Sequence, residues 1–350
     1  MSTLERHIVV IGGGVIGLTT AIRLLECSPH ARVTVLEQNA VGSGASRYAG
    51  AIDIPYFQSQ FHRQLVSFSW KWYAGFAPAA AHRLPVPIQW FLSSPADEDE
   101  LRLKLNQHAA PVGAAGQGWT APPAIHAIEG EAFVLRPEPW CQVLKQQLDT
   151  SGRATVLEQH AVTNLALRNG KVEAVTAAAT ICADHAIVCM GPWLPAWIAP
   201  VTLWAQQQKV RIKKVFGLQV EISSSARRWC AIGWVDAGIF FLPYGRTGNY
   251  FMSVRHEEWD VTPDQPGTMV PEVAMRAATF LDQIVGPGEW RIIAPSVFMD
   301  TYNTAFQPVV EQLGEMDNRV TVITGTHGSG VRLAPGLADL AARACLHGAH

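Results

Sequence analysis

A glycine-rich turn near the start of the chain constrains the fold more than any other feature. Residues 7–11 form an almost wholly apolar run that turns through Gly12, Gly13 and Gly14 into an amphipathic stretch. An apolar run of this kind is typical of a central strand covered on both faces. In the pattern Gly12-x-Gly14-x-x-Gly17, the first glycine permits a tight turn, the second lets a phosphate approach the backbone, and the third lets the helix pack close to the strand. The sequence therefore predicts a dinucleotide-binding turn.

The residues that flank this turn support the same prediction. Val15 and Ile16 open the helix, where free backbone amides can face a pyrophosphate. The second strand ends in Glu37 and Gln38, and Glu37 lies 20 residues after Gly17. A carboxylate at that distance accepts hydrogen bonds from a ribose diol and repels a 2′-phosphate. We therefore expect NAD or FAD rather than NADP.

Composition limits the class of protein. With 350 residues, 48% of them hydrophobic and 16% charged, the chain favours two domains with a large core and an internal pocket. A net charge of −2 argues against a nucleic-acid or acidic-membrane partner. We expect no transmembrane segment and no signal peptide, hence a cytoplasmic protein. Six scattered cysteines and twelve histidines without metal-ligand spacing predict free thiols and no metal site.

A loop of small residues follows Glu37. Small side chains let a backbone lie flat against a large ligand, and their hydroxyl and amide groups can contact phosphates. A nicotinamide dehydrogenase does not need such a loop. The residues that we expect to contact the cofactor here are Gly44, Ala45, Ser46, Ala49 and Gly50.

The fingerprint, Glu37 and this loop together resemble the D-amino acid oxidase superfamily of FAD enzymes, which includes glycine and sarcosine oxidases. The resemblance implies an α/β fold: a Rossmann-like FAD-binding domain of glutathione-reductase-type topology with an interleaved α+β substrate domain on an antiparallel sheet. It implies FAD-binding pieces at residues 1–55, 135–204 and 301–350 and substrate-domain pieces at 56–134 and 205–300. In the superfamily the small-residue loop runs beside the flavin.

Two later segments also match the superfamily. In the first, the resemblance implies that the Val162 backbone faces the adenine. It also implies that a buried strand ends beside the cofactor, at Gly191 and Trp193. In the second, residues 320–344 read as a buried strand, a glycine turn and a helix, and in the superfamily this turn covers the isoalloxazine ring. The resemblance carries this role onto Gly328, Ser329, Gly330, Val331 and Arg332.

The resemblance implies oxidation of the C–N bond of an amino acid or N-substituted amino acid by hydride transfer to FAD. The imine so formed hydrolyses to a keto acid. The candidate catalytic residues are Arg332, Tyr250 and Tyr48. Arg332 is expected to pair with a substrate carboxylate or to lie by C2=O of the flavin, and the structural alternative is a salt bridge to Asp339 or an interaction with the helix end. His327 lies beside the flavin turn, and a histidine in a glycine-rich turn more often forms hydrogen bonds with the backbone than acts as a base.

Two positions depart from the sarcosine-oxidase pattern. The cysteine that binds the flavin covalently there is matched here by Phe298, so we expect non-covalent FAD. The lysine that prepares oxygen attack falls near Phe251, with only Arg246 and Arg255 nearby, so O2 and another electron acceptor both stay open.

Alternatives to the amino acid oxidoreductase also stay open. One is an FAD-dependent 2-hydroxy acid or polyol dehydrogenase on the same fold, and another is the flavin-binding subunit of a hetero-oligomeric dehydrogenase. The expected partners are a small-molecule amino acid or related substrate and an electron acceptor. Homo-oligomerisation is left open.

Overall fold

The structure, a computed structural model, describes residues 5–105, 118–123, 125–263 and 267–347. Sheet A contains six strands, all parallel except the antiparallel edge pair β16 and β17. In spatial order they are β16 (Val309–Gln312), β17 (Val320–Thr324), β10 (His185–Val188), β1 (Arg6–Ile11), β2 (Ala31–Leu36) and β6 (Ala154–Leu157). The prediction that the first strand is central is confirmed, because β1 pairs with β10 on one side and β2 on the other.

Sheet B is a larger and mainly antiparallel sheet of eight strands, with one parallel pair between β4 and β12. In spatial order they are β15 (Trp290–Tyr302), β11 (Arg211–Ile222), β14 (Asn249–Val254), β13 (Ile239–Pro243), β12 (Ala231–Trp234), β4 (Leu84–Leu92), β5 (His126–Val134) and β3 (Ile52–Asp53). A third sheet comprises β7 (Val162–Arg168), β8 (Lys171–Thr176) and β9 (Thr180–Ala183).

Helices cover the sheets. They are α1 (Val15–Cys27), α2 (Ala45–Tyr48), α3 (Gln60–Gly75), α4 (Asp97–Lys104), α5 (Pro137–Thr150), α6 (Ala199–Gln207), α7 (Pro271–Ile284) and α8 (Gly330–His347). Apolar residues of α1, α3, α5 and α8 share one core with one face of sheet A, and the β7–β9 sheet and α6 cover its other face. Both faces are thus buried, as the apolar run in β1 predicts.

Alternation along the strands of sheet B separates its two faces. Phe216, Leu218, Met252 and Val254 pack with the apolar side of α7. The residues between them in sequence point the other way, toward sheet A, because successive side chains in a strand alternate. This second face forms one wall of the site described below.

The expected fold class is confirmed in its parallel sheet and its interleaved antiparallel sheet. The strands of sheet A fall within the three predicted FAD-binding pieces, whereas β3, inside the first of those pieces, pairs with β5 of sheet B. The division into two domains stays a prediction. All six cysteines lie in the described residues and are free. Among the helices of the described ranges, none combines the length and apolar character that a bilayer span needs.

Candidate functional site

A cavity of about 790 Å³ lies between the carboxyl ends of the sheet A strands and the inward face of sheet B. Loops that follow β1, β2, β10 and β17 form one side of it, and residues of β11, β13, β14 and β15 form the other. In parallel α/β sheets, ligands bind at the carboxyl ends of the strands. The volume falls within the range of cofactor and substrate pockets.

The predicted cofactor residues gather at this cavity with one exception. Those that line it are Gly12, Gly14, Val15, Ile16, Glu37, Gln38, Gly44, Ala45, Ser46, Ala49, Gly50, Val162, Gly191, Trp193, Gly328, Ser329, Gly330, Val331 and Arg332. Gly17 is not among the lining residues, because it packs against the turn: a Cβ on Gly17 would lie 1.9 Å from the Gly12 carbonyl oxygen. Its role is to let α1 approach β1 closely. The roles of the other residues in binding stay predictions.

The start of α1 has the features of a pyrophosphate site. Gly12 has φ 108°, a conformation that L side chains rarely adopt, and a Cβ there would lie 2.4 Å from the Cys189 carbonyl oxygen. The first turn of α1 carries no acidic residue, so the positive end of the helix dipole is unopposed. Ser46 closes the small-residue loop over this turn by accepting a hydrogen bond of 3.1 Å from the Val15 amide. The cradle therefore fits a dinucleotide phosphate.

Glu37 ends β2 with its carboxylate fixed at the cavity wall. One oxygen accepts from the Gly13 amide at 2.7 Å, and the other accepts from the Asn39 amide at 2.9 Å. Burial raises the pKa of Glu37, and these amide bonds act in the opposite direction. A carboxylate held in this way has lone pairs left to accept from ribose hydroxyls.

The second glycine turn is held by hydrogen bonds within the protein. The Gly328 amide donates to Asp300 Oδ2 at 2.6 Å. The Ser329 amide donates to the Thr326 carbonyl at 2.8 Å. The amides left by helix geometry are therefore those of Gly330, Val331 and Arg332 in the first turn of α8. These amides can face a partial negative charge on a bound flavin.

Arg332 is buried at the cavity, with 7% of its surface exposed. One terminal nitrogen donates to Ser329 Oγ at 2.6 Å, and its buried Nε has no hydrogen-bond partner in the described residues. The expected alternative of a salt bridge to Asp339 is wrong, because Asp339 instead pairs with Arg23 at 2.5 Å and with Arg343 at 2.8 Å. Burial lowers the pKa of Arg332 to about 10.

Asp53, the acidic side chain that acts on Arg332, does not neutralise it. Asp53 has an electrostatic influence on Arg332, yet its carboxylate binds Arg83 at 2.7 Å and the Trp70 indole N–H at 2.8 Å. Asp53 and Arg83 cancel each other's charge, so one positive charge remains at Arg332. A buried cation without a counter-ion is costly, and an anionic ligand group would relieve that cost.

The two tyrosine candidates, Tyr250 and Tyr48, and a third tyrosine, Tyr302, have different positions. Tyr250 does not reach the cavity, because it shares the α7 face of sheet B with Met252 and its hydroxyl donates to the Arg228 carbonyl at 2.5 Å. Tyr48 stacks on Phe298 at 6.5 Å between ring centroids and is not itself a lining residue. Tyr302 lines the cavity, and its ring contacts His327 edge-on at 4.9 Å.

Several cavity residues were missed from the sequence. Asp300 and Lys213 face each other across β15 and β11, and both line the cavity. Lys213 pairs with Glu257 at 2.8 Å, and its ammonium lies 4.9 Å from the centre of the Trp259 ring. A lysine or aspartate inside an otherwise apolar strand is the signal that could have identified both residues.

The sarcosine-oxidase pattern has its oxygen-activating lysine near the position of Phe251. In the structure Phe251 is a buried ring packed against Gly50. Arg255 lines the cavity and Arg246 does not. Lys213, which is distant from Phe251 in sequence, is another cation that lines the cavity on the sheet B side. Within the described ranges, no group of three or more His, Cys, Asp or Glu side chains has a metal-binding arrangement.

Comparisons with known proteins agree with this geometry. The family model described as "DAO: FAD dependent oxidoreductase" matches residues 7–344. Glycine oxidase from Bacillus cereus ATCC 14579 superposes with a TM-score of 0.79 at 15% identity, over 99% of this chain and 96% of that chain. L-proline dehydrogenase from P. horikoshii gives a TM-score of 0.79 at 15% identity, with 99% and 95% covered. L-amino acid deaminase from Proteus vulgaris gives 0.77 at 17% identity, with 98% and 94% covered.

At these identities the structural neighbours show the fold, and the family model shows the family. A sequence search of curated proteins gave no significant match.

Proposed function

This chain belongs to the DAO family of FAD-dependent oxidoreductases, and we propose that it oxidises the C–N bond of an amino acid or N-substituted amino acid. When bound, FAD supplies the acceptor for the hydride that leaves the carbon bearing nitrogen. Water then hydrolyses the resulting imine to a keto acid. The protein contributes the binding of the substrate, its orientation and the exclusion of bulk water.

The proposal depends chiefly on Arg332. Its guanidinium is buried at the cavity, next to the turn that leads into α8, and its Nε lacks a partner in the described residues. Charge neutralisation between Asp53 and Arg83 leaves this cation to an external anion. A substrate carboxylate matches the planar fork of an arginine and could form two parallel hydrogen bonds with it. A substrate with a carboxylate is therefore favoured over a plain amine.

Apolar residues of the same cavity would hold the rest of the substrate. Ile54, Tyr56, Phe240 and Leu242 line the cavity, and Tyr56 stacks on the buried Trp90 at 6.0 Å between ring centroids. Such a wall excludes water and strengthens the pairing of a carboxylate with Arg332. It also favours the neutral form of the substrate amine, which carries the lone pair that a departing hydride requires.

Non-covalent binding of FAD forms part of the proposal. Phe298 lines the cavity where the sarcosine-oxidase pattern has a cysteine, and a phenyl ring offers no nucleophile. The amides at the starts of α1 and α8 would hold the pyrophosphate and the ring system by hydrogen bonds and dipole alone. The electron acceptor is left open by the same reasoning, because Phe251 replaces the lysine expected in an oxidase of that pattern.

An anaerobic titration of the FAD-loaded protein tests the reaction. Amino acids, N-methyl amino acids, 2-hydroxy acids and polyols are added singly, and loss of the oxidised flavin absorbance is recorded. We expect an amino acid or N-substituted amino acid to bleach the flavin, and admission of air then separates an oxidase from a dehydrogenase. Bleaching by hydroxy acids or polyols alone would overturn the proposal. No bleaching until a second protein is added would instead favour the flavin-binding subunit.

Substitution of Arg332 tests its role separately. R332M should weaken binding of an unreactive carboxylic acid of substrate size on the order of 100-fold, and R332K should retain part of the affinity. R343M is the matched control, because Arg343 lies on the same helix with 65% of its side chain exposed. Wild-type affinity in R332M would remove the carboxylate from the proposal.

A further inference from the structure

The turn that precedes α8 is attached to the end of β15 by four hydrogen bonds. Gly325 N donates to Thr301 Oγ1 at 3.1 Å, and His327 N donates to the Thr301 carbonyl at 3.2 Å. Thr326 Oγ1 donates to Asp300 Oδ1 at 3.3 Å, and Gly328 N donates to Asp300 Oδ2 at 2.6 Å. The turn follows a strand of sheet A, whereas β15 belongs to sheet B. These bonds therefore join the two halves of the cavity at one point.

The conformation of the turn explains why it needs this attachment. Gly325, His327 and Gly328 have φ values of 69°, 51° and 74°. A histidine in the left-handed region is uncommon and persists only where the surrounding structure imposes it. Hydrogen bonds from three amides and one hydroxyl, supplied by the four consecutive residues 325–328, to Asp300 and Thr301 provide that constraint.

The Asp300 carboxylate is enclosed and lacks a neutralising cation. The residue is 8% exposed, and its contacts are the Thr301 amide at 2.8 Å, Thr326 Oγ1 and the Gly328 amide. Lys213, opposite it on β11, directs its ammonium to Glu257 instead. In the part of the chain that the structure describes, no lysine, arginine or histidine forms an ion pair with Asp300. Burial raises its pKa to about 6.

We propose that Asp300 is a positioning residue that shapes the flavin-facing turn through the Gly328 amide, and that its protonation loosens the hold of this turn on FAD. The ionised carboxylate accepts three hydrogen bonds, and two of their donors belong to the turn. A protonated carboxyl accepts hydrogen bonds less strongly. Its own O–H also needs an acceptor, whereas the three neighbouring groups are mainly donors. The first turn of α8 then loses its fixed approach to the flavin. This inference rests on FAD dependence, which the family membership establishes, and not on the identity of the substrate.

The pH dependence of FAD binding that we expect from Asp300 can be separated from that of the other titratable groups near the turn. The pKa of His327 is lowered to about 4 by burial, so this imidazole stays neutral where Asp300 titrates. Burial raises the pKa of Tyr302, which keeps its phenol neutral. Lys213 and Glu257 face each other as a pair. Burial also raises the pKa of Glu37, which lines the cavity apart from this turn. Glu37 would therefore leave a residual pH dependence of FAD binding when Asp300 is replaced.

The experiment measures the dissociation constant of FAD from the reconstituted full-length protein between pH 5 and pH 8. Flavin fluorescence reports binding, and visible circular dichroism reports the environment of the bound ring. Wild-type protein should bind FAD roughly tenfold more weakly at pH 5 than at pH 8, with the inflection near the pKa of Asp300. D300N should bind weakly at every pH and lose most of this inflection. D149N is the matched control, because Asp149 lies on the surface in α5 and pairs with Lys145; it should keep the wild-type profile.

A second variant keeps the inference testable if D300N fails to fold. T326V removes one hydrogen bond to the ionised Asp300 carboxylate and leaves the Gly328 bond, so the inflection should move to higher pH. A residue that only fills space would not move an inflection. Wild-type affinity and an unchanged pH profile in D300N, or an unmoved inflection in T326V, would overturn the proposal. Because no substrate is present, these results are independent of the amino acid oxidation proposed above.

Discussion

Replacement of Arg83 by methionine should destabilise the protein strongly, because it would leave Asp53 buried without its counter-ion. The two side chains are 8% and 3% exposed, and their ion pair measures 2.7 Å. The Arg83 guanidinium also lies 3.4 Å from the centre of the Phe133 ring. Removing one partner of a buried pair typically costs about 3–5 kcal/mol, because an uncompensated charge remains. A methionine refills most of the volume of the Arg83 side chain, so we assign the loss of stability mainly to the unpaired Asp53 carboxylate.

The double variant D53N/R83M should recover most of that loss. It removes both charges of this ion pair, and the asparagine oxygen can still accept from the Trp70 indole N–H, as Asp53 Oδ1 does at 2.8 Å. Replacing both members of a buried ion pair by neutral groups is often close to neutral in stability. The difference between the single and double variants isolates the charge effect from the packing effect.

The pH dependence of the R83M loss has a definite sign. Burial raises the pKa of Asp53, and Arg83 acts in the opposite direction, so removal of Arg83 raises this pKa further. A carboxyl whose pKa is raised by folding stabilises the folded state when protonated, and that stability is lost as the pH rises through the folded-state pKa. The R83M defect should therefore be smaller at pH 5 than at pH 8.

Urea unfolding of the apo-protein, followed by far-UV circular dichroism and tryptophan fluorescence, measures these differences where the two transitions coincide. R168M is the control, because Arg168 is 71% exposed in its pair with Glu173 and should cost less than about 1 kcal/mol. An R83M protein within about 1 kcal/mol of wild type, or a double variant no more stable than R83M, would refute the reasoning.

Three further predictions follow from single residues. G17A should abolish FAD retention, measured as flavin bound per protein, because the added Cβ would meet the Gly12 carbonyl oxygen at 1.9 Å; G75A, where a Cβ meets nothing within 4 Å, should retain FAD fully. His62 is 6% exposed, and burial lowers its pKa from 6.5 to about 4. The free energy of unfolding should therefore fall by about 3 kcal/mol as the pH drops from about 6.5 to about 4. H62N should make acid unfolding shallower, and an unchanged acid transition would contradict this. Acid precipitation should release all flavin from the polypeptide because Phe298 offers no attachment point, whereas a yellow precipitate would show covalent binding.

Much of the sheet A side of the cavity could be predicted because its signals are short in sequence. The Gly12 turn, the opening of α1 and Glu37 lie within one strand–helix–strand unit, where backbone geometry and helix dipoles act over a few residues. The segment from Val320 to Arg332 repeats the same strand, turn and helix logic. For that reason the predicted cofactor residues line one cavity apart from Gly17, whose packing role the fingerprint itself implies.

The substrate side was less predictable because a strand's two faces differ only by one residue in register. Tyr250 and Phe251 are neighbours in β14, yet one packs with the α7 side and the other lines the cavity. Which residue faces inward depends on the pairing of β14 with β11 and β13, and no local pattern specifies that pairing. Lys213 and Asp300 met across two strands far apart in the chain for the same reason.

The sequence alone determined the strand-turn-helix units, and with them the dinucleotide site, because those preferences depend on neighbouring residues. Only the tertiary structure decided that Asp53 pairs with Arg83 and not with Arg332, and that the Gly328 amide donates to Asp300. Those outcomes are competitions among groups brought together from distant parts of the chain. Electrostatic and hydrogen-bond energies depend on distance in space and on burial, neither of which sequence separation specifies.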